Sequence, residues 1–489
     1  MRILKLLPIM LLVAGHGILA EKVIVESGII FKDVSAEYGL KNVGNQKATW
    51  ADLNGDGYPD LVTDGQIWKN QSGKRFTNVT ADSGIKPPRG GSSVVADFNG
   101  DGILDIYFTG KGGMLCLGKG NFKFIESNTF KHDSVTMAAC AVDLDNDGYV
   151  DLYIANYEIW KKKIGFRDLI LRNDKGKMVK QWEAPDEKLM RGRGATACDF
   201  NNDGKMDIYV SNYRLMPNFL WVNNGNWELV DEARKLGCAG SENKKVVFKN
   251  YLGIKYYSSG HTIGSLWADF DNDTYFDLFV GNFSHPPKFQ DRPQLLRNSG
   301  PSGNYRFTDK SSIAKIPWQE SYGTPAAGDF DNDGLIDVFF NTCYSKDNGR
   351  LLRNLGNWKF KDITASSGVL SRVSYQNALA DFDNDGRLDM INNGRLYRNV
   401  SANNNWITIN LRGKAPNTSA IGAKVILDCN GKKQIRQVEA GTGSGNQNDL
   451  RLHFGLGTFN NSINIKIIWP DGKVDEKLAL PNSHQSYQY

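Results

Sequence analysis

The sequence predicts an all-β protein, a seven-bladed β-propeller followed by a small β-sandwich domain. Three observations support this fold class. A nine-residue aspartate-rich loop occurs seven times, a strand-like run follows the loops, and the loops recur at a spacing close to the length of one propeller blade. At 489 residues the chain is long enough for more than one domain, and its apolar and aromatic content suffices for packed cores.

The seven loops, numbered 1 to 7 in chain order, carry side-chain oxygens at positions 1, 3, 5 and 9. Such oxygens are the ligands that a hard cation such as calcium prefers, and a backbone carbonyl at position 7 can add another. Glycine at position 6 permits a sharp turn. We therefore predict up to seven calcium ions, one per blade. The predicted ligands, loop by loop, are Asp52, Asn54, Asp56 and Asp60; Asp97, Asn99, Asp101 and Asp105; Asp143, Asp145, Asp147 and Asp151; Asp199, Asn201, Asp203 and Asp207; Asp269, Asp271, Asp273 and Asp277; Asp329, Asp331, Asp333 and Asp337; Asp381, Asp383, Asp385 and Asp389.

An EF-hand begins with a similar pattern, but it lies between two helices and closes with a bidentate Glu at position 12. Position 12 is not acidic in any of the seven loops, and short β-rich runs such as DLVTD and DIYFTG follow them. The EF-hand interpretation therefore fails. Position 9 is Asp in every loop, which makes it the natural closing carboxylate.

Each repeat is long enough for a four-stranded blade. The loop starts are separated by 45, 46, 56, 70, 60 and 52 residues. Within a repeat the order is strand, loop, strand, strand, turn and strand, as in ATWADL, DLVTD, GQIWKN and RFTNVT. The loop therefore connects the first two strands, and a bound cation would tie the inner strands of each blade together. The role that we expect for calcium is structural.

The outermost strands indicate how the ring closes. An aromatic residue followed by a polar and hydrophobic strand recurs seven times, but the first copy, at Phe31, precedes loop 1 and none follows loop 7. A strand at residues 31–35 would therefore complete the blade that loop 7 begins. Such closure leaves no long free edge, whereas an open solenoid would need a cap at each end.

Loop 5 departs from the shared pattern because Thr274 occupies position 6. A positive φ at a β-branched residue costs roughly 1–2 kcal/mol. We expect the site in loop 5 to be the weakest or the most distorted of the seven.

The N-terminal twenty residues have a basic start, an apolar centre and a small residue, Ala20, at a suitable cleavage point. This pattern predicts a secretory signal peptide over 1–20, and no later apolar run reaches the roughly 18 residues of a membrane span. We expect a propeller over 21–402 and a sandwich over 403–489. The protein would be secreted, extracellular or periplasmic, where even weak calcium sites stay occupied.

The cysteines and the charge give weaker information. Six cysteines show no disulfide framework and no CxxC motif, and Cys140 and Cys198 are expected to be small core residues. Of the 54 acidic residues, 25 are predicted loop ligands, so 57 Lys and Arg of the mature chain face the remaining 29. With cations bound, the rest of the molecule is basic, which would attract an anionic glycan or an acidic protein. General solubility is the better explanation for most of these lysines.

The longest gap between loops contains an insertion, residues 231–261, that is rich in Lys, Tyr and Gly. Long loops on a rigid scaffold are common binding sites. His261 and His285 lie on either side of loop 5. We expect packing or hydrogen bonding from this pair rather than metal binding or catalysis.

After loop 7 the runs ITINLRG, AKVILDC, LRLHFGLG and INIKIIWPDGK alternate with Gly and Asn turns, which favours a β-sandwich. The loops resemble FG-GAP and VCBS repeats, as in integrin α-subunit propellers. The motifs AIGAKV (420–425), LHFGLG (452–457) and WPDGK (469–473) resemble the ASPIC/UnbV domain. The combination is similar to the cartilage acidic protein family and its secreted bacterial relatives. The segment GTGSGNQND (441–449) departs from relatives, which usually place an aromatic residue there.

The resemblance implies an extracellular calcium-binding propeller with a role in matrix or cell-surface binding and adhesion, not a reaction. No GxSxG, HExxH or nucleophile triad is present in the sequence, so we expect a non-enzyme. The expected partner is an extracellular protein or an anionic glycan, with no nucleic acid and no transmembrane segment. It would meet the insertion and an adjoining sandwich domain. Two alternatives stay open: a calcium-dependent polysaccharide lyase or hydratase, and a structural component of a surface complex.

Overall fold

Short antiparallel β-sheets make up almost all of the described chain. The computed structural model describes residues 28–41, 43–128, 131–283, 291–318, 320–402 and 404–489. The predicted signal peptide, residues 1–20, and His285 lie outside the described residues. Within the described residues, no helix combines the length and the apolar character needed to cross a membrane.

The described residues form seven four-stranded antiparallel sheets, and each sheet contains one aspartate loop between its first two strands. We call these sheets blades 1 to 7, after their loops. The first strand, β1 (Phe31–Asp33), belongs to blade 7. The strands of blades 1 to 3 are β2 (Ala48–Ala51), β3 (Asp60–Thr63), β4 (Gln66–Asn70), β5 (Phe76–Asn78), β6 (Ser93–Ala96), β7 (Asp105–Phe108), β8 (Met114–Gly118), β9 (Phe124–Ser127), β10 (Thr136–Val142), β11 (Asp151–Asn156), β14 (Leu169–Asp174) and β15 (Lys177–Glu183).

The other blades repeat this plan. Their strands are β16 (Gly192–Cys198), β17 (Asp207–Asn212), β18 (Phe219–Asn223), β19 (Leu229–Asp231), β22 (His261–Ala268), β23 (Asp277–Phe283), β24 (Gln294–Asn298), β25 (Phe307–Asp309), β26 (Tyr322–Gly328), β27 (Asp337–Thr342), β28 (Arg350–Asn354), β29 (Phe360–Asp362), β30 (Asn377–Ala380), β31 (Asp389–Asn392) and β32 (Arg395–Asn399). Two further hairpins are β12 (Glu158–Ile159) with β13 (Ile164–Gly165), and β20 (Asn243–Lys249) with β21 (Lys255–Ser258). Three one-turn helices are α1 (Ala233–Leu236), α2 (Ser311–Ala314) and α3 (Thr364–Ser367).

The two inner strands of each blade are buried on both faces, which explains why they read as continuous apolar runs rather than alternating ones. Apolar clusters lie between adjacent blades. One of them joins blade 1 to blade 7 through Trp50, Phe76 and Phe382. The innermost strand of each blade contacts the innermost strands of both neighbours, so the sheets form a closed ring.

The N-terminal strand closes this ring, as the count of outer strands predicted. Strand β1 pairs antiparallel with β32, with Phe31 opposite Asn399 and Asp33 opposite Tyr397. Phe31 packs edge to face on Phe330 of blade 6, at 5.4 Å between ring centroids. The outer edge of the last blade is therefore provided by the start of the chain.

A buried asparagine at the end of the third strand joins neighbouring blades. Its side-chain amide donates to the carbonyl of position 2 in the preceding blade's aspartate loop, at 2.6–3.1 Å. It also donates to a carbonyl of its own loop. Six of the seven described blades have this residue: Asn70, Asn173, Asn223, Asn298, Asn354 and Asn399. Blade 2 has Gly118 instead, where a Cβ would approach Leu104 O to 2.3 Å.

The C-terminal segment folds as two packed sheets, as the sequence predicted. One contains β33 (Asn405–Arg412), which pairs antiparallel with β36 (Leu452–Gly457) and parallel with β39 (Ser483–Gln488). The other has the order β35 (Lys432–Gln437), β34 (Lys424–Cys429), β37 (Ile463–Ile468) and β38 (Val474–Ala479). Their inner faces share one apolar core, which extends into blades 2 and 3 of the ring. The C-terminal domain is therefore packed onto the propeller.

A loop of the C-terminal domain enters the axis of the ring. This axial loop, residues 440–449, approaches the innermost strand of every described blade. Gln447 exchanges backbone hydrogen bonds with β2, and its side-chain amide bonds both backbone groups of Val95. The contacts in blades 3 to 7 are Ala141 with Ala440, Gly194 beside Gly443, Ser265 with Gly443, Thr324 with Ser444, and Leu379 with Asp449. This glycine-rich segment therefore fills the centre of the ring.

The ring has two faces. The aspartate loops lie at the ends of the innermost strands, and the C-terminal domain packs on this loop face through contacts with loops 2, 4 and 6. The insertion over 231–261 precedes β22, which begins at His261 and ends beside Asp269, so the insertion lies on the opposite, far face. The expectation that the insertion adjoins the C-terminal domain is therefore wrong. The reason is the course of the chain between blades. Each connection leads to the end of the ring where the next innermost strand begins, which is opposite to the end that holds the aspartate loops and the C-terminal domain.

Candidate metal centres of the aspartate loops

The loop backbone has the same shape in all seven copies, each of which lies within the described residues. Position 6 has a positive φ in every loop, including 86° at Gly57 and 93° at Gly334. Thr274 also adopts this conformation, with φ of 70°, and so loop 5 keeps the shared backbone at the cost of strain. Position 4 is left-handed as well, which explains why it is Gly or Asn in every loop. We did not anticipate this second constraint.

The carboxylate at position 1 organises the turn. One of its oxygens accepts the backbone N–H of position 6 in every loop, and the distance is 2.8 Å from Gly57 N to Asp52 Oδ2. In loop 5 the same bond, from Thr274 N to Asp269 Oδ2, is 3.0 Å long. This contact is formed by the backbone, so the loss of glycine does not remove it.

The predicted ligands converge most clearly in the four loops that have four aspartates. In loops 5, 6 and 7 the carboxylates of positions 1, 3 and 5 bring oxygens within 4.8 Å of one another. In loop 3 the converging groups are Asp143, Asp145 and Asp151. Loops 1, 2 and 4 have Asn at position 3, and their carboxylates do not form such a group among the described residues.

Buried oxygens without a hydrogen-bond donor support a cation in these loops. Oδ1 of Asp143, Asp271, Asp331 and Asp383 is buried, and no donor reaches it. A buried carboxylate oxygen without a partner is costly unless a positive charge lies next to it. The donor set therefore fits a hard, oxygen-seeking divalent ion. The identity of the ion is not determined by these contacts.

Burial and mutual repulsion act on the same carboxylates. Burial, together with repulsion by neighbouring loop carboxylates, raises the pKa of Asp143, Asp269 and Asp381 to about 7 each. Burial likewise raises the pKa of Asp60 to about 8. Gathering these negative charges without a cation is therefore unfavourable, and a divalent ion would offset the repulsion.

The Asp at position 9 has a second task. In all seven described loops one of its oxygens accepts a backbone N–H from the end of the third strand, at 2.7–2.9 Å. In every loop except loop 4, its other oxygen accepts the N–H of position 2. This residue thus fixes the loop to the blade. That it also closes the ion site stays a prediction, because it belongs to the converging carboxylates only in loop 3 of the described residues.

An arginine accompanies each loop that has Asp at position 3. Arg353 Nε lies 2.7 Å from Asp331 Oδ2, and its Nη2 lies 3.1 Å from Asp333 Oδ2. Loops 3, 5 and 7 repeat this two-pronged pairing with Arg172, Arg297 and Arg398 on the third strand. Where position 3 is Asn, the equivalent third-strand residues are Lys69, Leu117 and Val222. The extra carboxylate and the arginine therefore occur together.

This pairing gives the two types of loop a similar charge. Four carboxylates and one arginine leave three negative charges, the same as three carboxylates and an asparagine. Two loops have a further cation: Arg387 pairs with Asp385 in loop 7, and Lys424 Nζ lies 2.8 Å from Asp199 Oδ2 in loop 4. The expectation that loop 5 binds calcium most weakly stays a prediction. Loops 4 and 7 are further candidates for the weakest site, because their extra cation reduces the negative charge that attracts the ion.

The C-terminal domain contacts the loops directly. Lys424 donates to Asp199 and Asn202 in loop 4, and Ser419 Oγ accepts the N–H of Asp97 in loop 2. His453 Nε2 lies 2.7 Å from Asn332 Oδ1 in loop 6. The ring of candidate metal centres is therefore the platform on which the C-terminal domain is seated.

The remaining predicted residues are placed as follows. His261 packs edge to face on Tyr213, at 4.8 Å between ring centroids. All six cysteines lie in the described residues and have free thiols; Cys140 and Cys198 are buried, as expected.

Comparison with known proteins agrees with the two-part architecture. Residues 413–488 match the family described as ASPIC and UnbV. Residues 52–108, 269–340 and 329–391 match the FG-GAP-like repeat. The all-β fold class predicted from the sequence, and the resemblance on which it partly depended, are confirmed.

Full-length relatives were also found. Cartilage acidic protein 1 of Mus musculus is 28% identical over 370 residues, which cover 69% of this chain and 51% of that protein. The Homo sapiens protein is 27% identical over 370 residues, covering 69% and 50%. The chain spans about half the length of the curated relatives it matches. Among solved structures, an Agrocybe aegerita lectin that recognises terminal N-acetylglucosamine gives a TM-score of 0.42 at 16% identity, covering 67% of this chain and 82% of the lectin.

Proposed function

The chain belongs to the proteins that join FG-GAP-like repeats to an ASPIC and UnbV domain, and from this premise we propose that it is a secreted, calcium-loaded binding module. It would act without catalysis, as an adhesion or recognition protein for an extracellular protein or an anionic glycan. Secretion, calcium and the partner class each have separate support.

Secretion is supported by the sequence of residues 1–20, which has the composition of a signal peptide. Calcium is supported by the converging aspartates and by their unpartnered buried oxygens. Ions held in the loops would supply Lewis-acid charge that neutralises the carboxylates. The chain's own residues would position the ligands. The position 9 carboxylates fix each loop to its blade, and the third-strand arginines hold the carboxylates at positions 3 and 5 in place.

The observation that carries the partner class is the separation of charge between the two faces. The loop carboxylates lie on the loop face, against which the C-terminal domain packs. The far face has the insertion hairpin β20–β21, with exposed Lys244 and Lys249. Once the loops hold cations, the remaining charge is strongly positive, so an anionic partner is favoured by long-range attraction.

Binding to immobilised anionic glycans tests this proposal. We expect calcium-loaded protein to bind sulfated or carboxylated glycans better than neutral ones, and to bind less as added salt shortens the Debye length from about 10 Å toward 3 Å. Lys244→Glu combined with Lys249→Glu should weaken binding about tenfold. Lys432→Glu with Lys433→Glu, two exposed lysines of the C-terminal domain, is the matched control and should change it little.

The same experiment in excess EDTA tests the calcium component. We expect chelation to lower the melting temperature and to abolish binding, because ions that bind only the native state stabilise it. An unchanged melting curve would mean that the loops are empty in solution. Turnover of any glycan by the purified protein, lost on mutation of an ionisable residue outside the loops, would replace this proposal with the lyase or hydratase alternative.

A further inference from the structure

The mouth of the ring on the far face is lined by cations and tyrosines. The innermost strands begin at this end, and the tip of the axial loop reaches it from the other side. We call this region the far mouth and define it by Lys47, Tyr157, Arg193, Tyr213 and Tyr375. These residues come from blades 1, 3, 4 and 7. None of them is part of an aspartate loop.

Arg193 is the central residue of the far mouth. It is the extra residue of a β-bulge at the start of β16, between the Gly192–Asn212 and Gly194–Ser211 pairs. Bulges turn a side chain away from the regular direction of the strand, and they are common next to functional sites. The guanidinium carbon of Arg193 lies 5.3 Å from the ring centroid of Tyr157, 5.2 Å from that of Tyr213 and 5.4 Å from that of Tyr375.

Lys47 supplies a second cation beside the tip of the axial loop. Its side chain is about nine-tenths buried, and its ammonium donates to the Oγ of Ser444 at 2.6 Å and to the carbonyl of the same residue. The ammonium also lies 5.5 Å from the ring centroid of Tyr375. The axial loop thus provides neutral oxygens to Lys47, but it provides no negative charge.

The two cations have no carboxylate partner in the described residues. Burial lowers the pKa of Lys47 well below its usual value, and the positive charge of Arg193 lowers it further. The neighbouring arginines differ: Arg191 Nε lies 2.7 Å from Glu158 Oε2, and Arg214 pairs with the other oxygen of the same carboxylate. The protein thus neutralises the arginines around the far mouth but leaves the charge at its centre uncompensated.

The chemistry of the far mouth is that of an anion site. A guanidinium offers five N–H donors in a planar fork that matches two oxygens of a sulfate or carboxylate group. Tyrosine hydroxyls beside it can donate to the remaining oxygens. An ammonium that is already largely desolvated strengthens the attraction for an anion. Burying such a charge without a counter-ion is unfavourable, and a ligand would supply that counter-ion.

We propose that the far mouth binds one sulfate or carboxylate group of an anionic saccharide, held by the Arg193 fork and assisted by Lys47 and the three tyrosines. This inference rests on the proposed function and gives it a location. The insertion hairpin borders the site, because Tyr251 lies on Arg191, with 4.6 Å between the guanidinium carbon and the ring centroid. A saccharide chain leaving the far mouth would therefore run past the exposed lysines of that hairpin.

Calorimetric titration with inorganic sulfate, in a chloride buffer with calcium, tests the site separately from any glycan. We expect saturable binding to the wild-type protein and a loss of affinity of about tenfold or more for Arg193→Gln, since one forked charge-assisted contact is removed. Arg193→Lys keeps the charge and loses the fork, so it should recover only part of the affinity. Arg89→Gln removes an exposed arginine from the connection between blades 1 and 2, and should leave sulfate binding unchanged.

Titrations with a sulfated, a uronic-acid and a neutral oligosaccharide then distinguish the possible sources of the anionic group. Equal sulfate affinity for Arg193→Gln and the wild type, with matching circular dichroism spectra, would overturn the far-mouth proposal while glycan binding could still stand. Sulfate binding lost in Arg193→Gln without binding of any oligosaccharide would keep the anion site and refute its saccharide ligand. If Arg193→Gln does not fold, Tyr157→Phe, which removes only one hydroxyl beside the guanidinium, should weaken sulfate binding measurably; an unchanged affinity would contradict the proposal.

Discussion

At the scale of single residues, one asparagine amide connects each of six blades to its predecessor. Its two donors satisfy two backbone carbonyls, one in its own loop and one in the preceding blade's loop. Replacing it would leave both carbonyls buried and unpaired. A buried unsatisfied polar group costs roughly 1–3 kcal/mol.

We expect Asn354→Ala to lower the free energy of unfolding by about 2–4 kcal/mol, because two hydrogen bonds to buried carbonyls disappear together. Chemical denaturation followed by tryptophan fluorescence measures the effect. Asn224→Ala, at an exposed position one residue beyond the equivalent Asn223, should fall within about 0.5 kcal/mol of the wild type. Equal stability of the two variants would show that the amide contacts are not holding the blades together.

These asparagines were visible in the sequence but were not recognised. The dipeptides KN, RN and VN end the third strand of six repeats, and nothing local indicates that the amide reaches another blade. The ligand positions of the loops were different, because their spacing is a local property of nine residues. Sequence reasoning succeeds where a motif contains its own geometry, and it fails where the partner is a backbone carbonyl of another repeat.

At the scale of the element, the third-strand arginine and the position 3 aspartate form one unit. The forked pairing of Arg353 with Asp331 and Asp333 holds two candidate ligands and removes one negative charge from the loop. Loops with asparagine at position 3 need no such compensation. The arginine therefore makes the four-aspartate loop tolerable before a cation arrives.

We predict that Arg353→Gln lowers the melting temperature in EDTA and increases the gain in melting temperature on adding calcium. The loss without calcium should correspond to about 1–2 kcal/mol, because four carboxylates then repel one another without a partner. Differential scanning calorimetry at several calcium concentrations gives both values. Lys69→Gln, at the equivalent position of loop 1, removes a cation that has no carboxylate partner in the described residues; it is the control and should change neither value. A smaller calcium gain in Arg353→Gln would mean that the arginine supports ion binding rather than opposing it.

The strand order within a blade was predictable because it follows from local features of each repeat. The loop can connect only the first two strands, and the count of outer strands places β1 beside β32. The relation between the insertion and the C-terminal domain was not predictable in the same way. It depends on which end of β22 each segment approaches, and that follows from the antiparallel course of the chain through blade 4.

At the scale of the whole molecule, the boundary between the ring and the C-terminal domain encloses a cavity of about 120 Å³. Glu439, the residue before the axial loop, lines it together with Arg436, Asp449, Arg451 and His453. Burial raises the pKa of Glu439 to about 8, although the neighbouring hydroxyls of Thr442 and Thr196 oppose this effect. The carboxyl group is therefore neutral in the native state at mildly acidic pH.

A folded-state pKa above the unfolded value means that this group favours the native state at low pH. The contribution is lost as the pH rises from about 4.5 through about 8, because the unfolded chain loses the proton first. We expect the melting temperature of Glu439→Gln, relative to the wild type, to rise by about 2 °C or more between pH 5 and pH 8.5. Thermal melts in calcium at five pH values measure it. A constant difference across this range would show that Glu439 titrates normally.

The axial loop also has a consequence for the order in which the protein folds. Residues 440–449 are synthesised after every described strand of the ring, yet they complete the hydrogen bonding of strands that begin at Ala48. Until these residues are in place, the centre of the ring is open and the inner edges of the innermost strands are unpaired. The last blade can already contain the N-terminal strand β1. The ring must therefore stay loose enough to admit a loop from outside, and it becomes rigid only when that loop is seated. Folding of this chain would end at its centre rather than at its surface.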